Sequence, residues 1–132
     1  MKEINVTTEK KKQVLDITAR LEEIMEVEGW KDGVLHATVL HTTAALTTAD
    51  LDPGTDLDYL DAFEHMVPKL DYRHPHNPAH AGDHIMASLI GPSIMLPVRR
   101  GKLVLGLWQK AILVEFDGPK KRDIAISFIN AD

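Results

Sequence analysis

From Ser93 onward the chain consists of four short apolar runs separated by glycine-bearing turns. The runs are Ile94–Val98, Leu103–Leu107, Ala111–Phe116 and Ile124–Ile129. Apolar runs of this length, bounded by Gly and Pro, read as strands joined by tight turns. This tail commits the last third of the chain to a sheet, and the rest must pack against it. Glu3–Thr7 alternates Ile4 and Val6 with polar neighbours, and Val34–His41 alternates Leu35, Ala37 and Val39 with His36 and Thr38. Both read as strands. Lys10–Ile17 fits either a second strand or a helix start. Thr18 reads as the N-cap of a helix carrying Leu21, Ile24 and Met25 on one face and ending near Gly29. Leu57, Leu60, Phe63, Val67 and Leu70 recur at helical spacing, limited by Pro68. Asn77-Pro78 pairs a preferred N-cap with a preferred first helical residue, predicting a helix to about Ile90 that stops at Gly91-Pro92. The pattern predicts one α+β domain over residues 1–132, with two to three helices packed against a mostly antiparallel or mixed sheet.

Composition narrows the function. At 132 residues and 44% hydrophobic, the chain is long and apolar enough to bury its own core. The absence of cysteine excludes disulfides, zinc–thiolate sites, iron–sulfur clusters and thiol nucleophiles. A net charge of −5 argues against broad nucleic-acid binding. Met1-Lys2-Glu3 lacks the apolar core of a signal peptide, and Ala87–Val98 is broken by Gly91, Pro92 and Pro97. The expectation is a cytoplasmic protein without membrane or nucleic-acid partners.

Seven histidines stand out, four of them between His74 and His84. On a helix opened by Pro78, His80 and His84 project from one face, the spacing at which two imidazoles share a metal. His74 and His76 lie in the lead-in, and His41, at a strand end, is a candidate third ligand. Three histidines plus water make an open zinc site. Surface polarity around a helix start is the plainer alternative, and His36 and His65 are read as structural or surface residues. Of the acidic run after His41, Asp50 is the candidate for proton transfer or for orienting a ligand imidazole. The other aspartates suit a solvated helix and its N-terminal dipole. Arg99-Arg100-Gly101-Lys102 and Lys120-Lys121-Arg122 are short basic clusters beside glycine turns, fit for phosphate, and Ser93 adds a hydroxyl. They fit hairpin turns equally well. Trp108 is expected in a strand and the core, with Gln109 on the opposite face.

Several motifs then fall in a familiar order: His41-Thr-Thr-Ala-Ala-Leu46, Tyr72-Arg-His74, His84-Ile-Met-Ala-Ser-Leu-Ile-Gly-Pro-Ser93, Gly106-Leu-Trp-Gln109 and Glu115-Phe-Asp-Gly-Pro119. Over nearly its whole length the chain resembles the YjbQ-like family, whose members carry the label secondary thiamine-phosphate synthase. The resemblance implies an α+β fold and a homotrimer. It implies a site near a subunit interface, where His41, His74 and His84 gather around a metal or anion, with Gln109 and Glu115 as neighbours. It also implies the joining of a hydroxymethylpyrimidine diphosphate to a thiazole phosphate with loss of diphosphate. Leu107 stands where the family has Thr, and Asp50 where it has a longer Glu. The family's tighter histidine lead-in is here spread from His80 to His84, which leaves His80 as an alternative ligand.

The expectation is therefore an enzyme acting on a small phosphorylated heterocycle. His41, His74 and His84 would hold a divalent metal, zinc first, with nickel, manganese or magnesium as alternatives. Asp50, Gln109 and Glu115 would form the catalytic surroundings, and Ser93, Arg99, Lys120 and Arg122 would meet phosphate. Two alternatives are a metal-dependent hydrolase of a phosphate ester or amide and a non-catalytic module that binds a metal or metabolite.

Overall fold

The computed structural model describes residues 1–131. Among these residues eight strands form two antiparallel sheets: β1 (Lys2–Thr7), β2 (Gln13–Asp16), β3 (Gly33–Val39), β4 (Ala44–Ala49), β5 (Ser93–Arg99), β6 (Lys102–Leu103), β7 (Lys110–Glu115) and β8 (Lys121–Asn130). Three helices accompany them: α1 (Thr18–Glu28), α2 (Thr55–Met66) and α3 (Ala81–Ile90), the last preceded by a 3₁₀ turn at Pro78–His80. The larger sheet runs β1-β8-β3-β5-β6 and the smaller β2-β7-β4.

Side-chain alternation explains how the layers stack. Leu35, Ala37 and Val39 of β3 point inward with Ile124 and Ile126 of β8, against α1 and one face of the small sheet. The other face of the small sheet, carrying Ala45, Ile112 and Val114, packs against Leu60 of α2 and Met86 and Ala87 of α3. The small sheet is thus the middle layer. Its central strand β7 is buried on both faces from Ala111 to Glu115. A strand covered on both sides reads as a continuous apolar run, as this one does.

Three local expectations need correction, and one open reading is decided. Thr18 does not cap α1: Ile17 is the N-cap, Asp16 accepts the Thr18 N–H, and the Thr18 hydroxyl accepts from Ala111 N–H at 3.0 Å. Of the two readings open for Lys10–Ile17 the strand holds, as β2 at Gln13–Asp16, paired with β7. The strand expected over Leu103–Leu107 stops at Leu103, because Gly106–Gln109 closes as a turn by the Gln109 N–H donating to the Gly106 carbonyl at 3.0 Å. Trp108 therefore sits at a turn tip, 68% exposed, and not in the core.

Candidate functional site

The histidines collect around the start of α3. Asn77 accepts the Ala79 N–H at 3.0 Å and begins the 3₁₀ turn, as its position before Pro78 predicts. His74, in the extended lead-in, meets His84 on α3 with ring centroids 4.8 Å apart and planes at 69°. The His76 ring centroid stands 6.2 Å from that of His74. Two imidazoles on one tetrahedral zinc, with Zn–N bonds of about 2 Å, have centroids about 5 Å apart. The His74–His84 spacing fits that geometry. His80 turns elsewhere, its Nδ1 lying 3.8 Å from Asp117. The turn at Pro78–His80 winds at about 3.0 residues per turn rather than about 3.6, so His80 is out of helical register with His84.

His41 follows β3 and is half-buried. Its Nε2 accepts the Asp123 N–H at 2.9 Å, which leaves Nδ1 as the other ring nitrogen. Among the described residues, no three His, Asp or Glu side chains gather as a metal-holding group. The chain thus brings together one imidazole pair. That pair suits zinc in chemistry and spacing but is short of the three ligands of an open site.

Next to His80 lies a charge cluster that the sequence reading missed. Lys11 donates to Asp83 at 3.2 Å and to Asp117 at 3.3 Å, and Lys120 donates to Asp117 at 3.0 Å. Partial burial pulls the Lys11 pKa down, but hydrogen bonds and charge from Asp83 and Asp117 more than offset this and leave it raised. Burial pushes Asp117 up, and Lys120 and Lys11 bring it below its ordinary value. Asp83 was legible only as the acidic member of His80-Ala-Gly-Asp-His84, where helix polarity explains it equally well.

Glu115 and Arg122 occupy the interior, 0% and 2% exposed. Arg122 Nε donates to both Glu115 oxygens at 2.9 and 3.1 Å, and its terminal nitrogen also reaches Glu115 Oε2. That same nitrogen bonds the Thr43 hydroxyl at 2.8 Å and the Thr43 carbonyl at 3.2 Å. Thr8 and the Asp117 N–H complete the carboxylate's partners at 2.7 and 3.2 Å. Burial alone raises the Glu115 pKa. The bonds from Arg122, Thr8 and the Asp117 amide, with the guanidinium charge, outweigh that and hold it low. The pair ties β7 to β8 and to the residues after His41, and both groups are engaged within the fold.

The remaining candidates are dispersed. Asp50 is half-buried, and its carbonyl accepts the Tyr59 hydroxyl at 2.7 Å. Gln109 is a turn clamp: its Oε1 accepts the Gly106 N–H at 3.0 Å and its Nε2 donates to Thr48 at 2.8 Å. Ser93 opens β5 opposite Thr38, at the His41 end of the large sheet, whereas Arg99 pairs with Lys102 at the far end. Six residues of strand place Arg99 about 20 Å from Ser93. The fold therefore sets Arg99 at the end of the large sheet away from His41 and brings Lys120 near His80 through Asp117. His36 contacts Thr38 at 3.3 Å and His65 contacts the Asp61 carbonyl at 2.9 Å, the structural and surface roles expected of them.

Comparison with known proteins agrees with the motif order. The family model described as UPF0047 protein YjbQ-like matches residues 2–131. A UPF0047 protein of Archaeoglobus fulgidus is 35% identical over 94% of this chain and 97% of its own length. UPF0047 protein YugU of Bacillus subtilis is 30% identical over 98% of each chain. A crystal structure of a YbjQ-like protein of unknown function from Sulfolobus solfataricus P2 superposes with a TM-score of 0.90 at 33% identity, covering 98% of this chain and 96% of that one. An uncharacterised YjbQ/UPF0047 protein from Clostridium acetobutylicum gives 0.88 at 34% identity, covering 98% and 100%. The chain belongs to the UPF0047 YjbQ-like family.

Proposed function

We propose that this UPF0047 family member is a cytoplasmic, homotrimeric enzyme that binds a divalent metal, zinc first, and acts on a small phosphorylated heterocycle. One observation carries the reading: His74 and His84 stand 4.8 Å apart, the spacing of two imidazoles on one metal. The third ligand is assigned to His41 through Nδ1, contributed by a neighbouring subunit, because this chain alone supplies the pair. The outer face of the large sheet supports such an assembly, carrying Met95 at 61% and Ile129 at 59% exposure.

The reaction suggested by the resemblance joins a pyrimidine diphosphate to a thiazole phosphate and expels diphosphate. A bound divalent metal would supply charge neutralisation at the leaving group. The chain's own residues would do the rest. Lys120 would bind a phosphate oxygen by leaving Asp117, the half-buried Asp50 would take up a proton, and Glu115–Arg122 would hold the residues that follow His41.

The test is metal content by mass spectrometry on untagged protein, with His41→Ala, His74→Ala and His84→Ala beside the parent. The expected result is near one metal per chain in the parent and loss in all three variants. No metal after incubation with zinc or nickel would sink the metal assignment. Release of diphosphate from the pyrimidine substrate marks the transferase. Incorporation of solvent oxygen into product marks the hydrolase, and binding without turnover marks a non-catalytic module.

A further inference from the structure

A second feature opens on the flank of α3 away from the His74–His84 pair. A cleft of about 550 Å³ lies between residues 67–72, after α2, and the start of α3. Val67, Pro68, Leu70 and Met86 make its apolar walls, and Gly82 and Asp83 line it from α3. At positions 82, 83 and 86 the helix turns these residues one way, while His84 projects from the other side. Pockets for small molecules have this makeup, apolar walls with one or two placed polar groups.

The polar group is Asp83. Its side chain is 7% exposed, and among the described residues only Lys11 donates to it, at Oδ2. No buried side-chain oxygen of the described residues lacks a partner, so Oδ1, which has none, reaches solvent, and Asp83 lines the cleft. Lys11 approaches Oδ2 from a side chain 55% exposed and divides its contacts between Asp83 and Asp117. The charges at the mouth are of little consequence. Lys12 is matched by Glu64 at 3.7 Å, and Lys69 and Asp71 stand exposed in water, where charge is screened. The buried carboxylate therefore decides which ligand the cleft prefers.

We propose that this cleft binds a small organic amine or amidine, with its ring or chain between Val67, Leu70 and Met86 and its N–H group donating to Asp83 Oδ1. A cationic donor to a carboxylate outranks a neutral one, and the low-dielectric floor strengthens the contrast. The absence of a Cβ at Gly82 keeps the passage open: one added there would have only Val67 Cγ1 near it, at 3.9 Å. The site rests on no metal and is separate from the histidine pair.

The experiment is titration of the full chain with benzylamine, benzyl alcohol and benzoate, followed by amide NMR at Gly82, Asp83, Met86 and Tyr72. Benzylamine should shift these signals and bind about tenfold more tightly than benzyl alcohol, the worth of one charge-assisted bond. Benzoate should bind no better than the alcohol. Asp83→Asn should bring benzylamine down to the level of the alcohol. Gly82→Leu, which fills the cleft and leaves Asp83 and Lys11 alone, should abolish the shifts while keeping a dispersed spectrum. Equal binding of amine and alcohol, tighter binding of benzoate, shifts elsewhere on the protein, or unchanged binding in Gly82→Leu would each overturn the proposal.

Discussion

Two charged clusters flank the turn at Asp117, and they differ in what is left unused. In the Glu115–Arg122 pair each carboxylate oxygen has more than one donor, and the guanidinium also binds Thr43. In the Lys11–Asp83–Asp117–Lys120 cluster two lysines are half in water, and Asp83 keeps one oxygen without a donor. The first cluster is closed and can only hold the chain together. The second retains capacity for something else. Burial alone does not distinguish them, since Asp83 is nearly as buried as Glu115; the count of donors does.

The largest expected effect comes from breaking the closed cluster on one side. Arg122→Met leaves a buried, unpaired carboxylate and should lose about 3–5 kcal/mol in urea unfolding. Adding Glu115→Leu to it should recover most of that loss, because the cost lies in the orphaned charge and not in a missing attraction. If the double variant is no better than the single one, the pair does more than pin β7 to β8. Next in size is Gly118→Ala. A Cβ there would lie 2.4 Å from the Lys10 carbonyl oxygen and 2.7 Å from the Thr8 hydroxyl, so backbone must move. A loss of about 1–3 kcal/mol is expected, by the same denaturation measurement.

The pH dependence sharpens the contrast. Glu115 and Asp117 have folded pKa values below their unfolded ones. Their contribution is present above the unfolded carboxylate values, about 4, and is lost as pH falls through the lower folded values. Lys11 runs the opposite way. Its raised value gives a contribution present below the unfolded lysine value, about 10.4, and lost as pH rises through the folded one. Urea midpoints from pH 7 to pH 2 should fall less steeply in Glu115→Gln than in the parent. Lys11→Met should flatten the alkaline limb. A parent-like acid limb in Glu115→Gln would mean that the buried carboxylate is not what titrates.

How much of this was legible depends on what each residue needs from its neighbours. Strands β5, β7 and β8 and the Asn77 cap follow from local pattern, because alternation and capping act over a few residues. Strand β4 was not recognised, since Ala44-Ala45-Leu46 is apolar without a period; it pairs with β7 on one edge and is covered on both faces. Glu115 and Arg122 are seven apart in sequence; the resemblance sets Glu115 beside the site, and the basic cluster suits Arg122 to phosphate. Only the pairing of β7 with its neighbours, together with Thr8 and Thr43 from far along the chain, turns them into an internal tie. The meeting of His74 with His84 follows the resemblance, whereas spacing pairs His80 with His84, because a 3₁₀ turn cannot be told from the first turn of an α-helix by Asn-Pro alone.

The smallest expected effect bears on whether the exposed turn is free. Leu107 and Trp108 are 82% and 68% exposed at a turn held by Gln109. Gln109→Ala removes both clamping bonds and should cost about 1–2 kcal/mol, at the usual worth of about 1 kcal/mol per bond. Trp108→Ala touches little within the chain and should change the monomer's stability by no more than about 0.5 kcal/mol. That expectation holds only where the tryptophan faces water. Under the proposed trimer, the same substitution measured at rising protein concentration should become more costly, because association stabilises by mass action and removing an anchor weakens it. A cost that stays small and independent of concentration would leave Trp108 outside any subunit contact. The assembly would then have to rest on the outer sheet face around Met95 and Ile129.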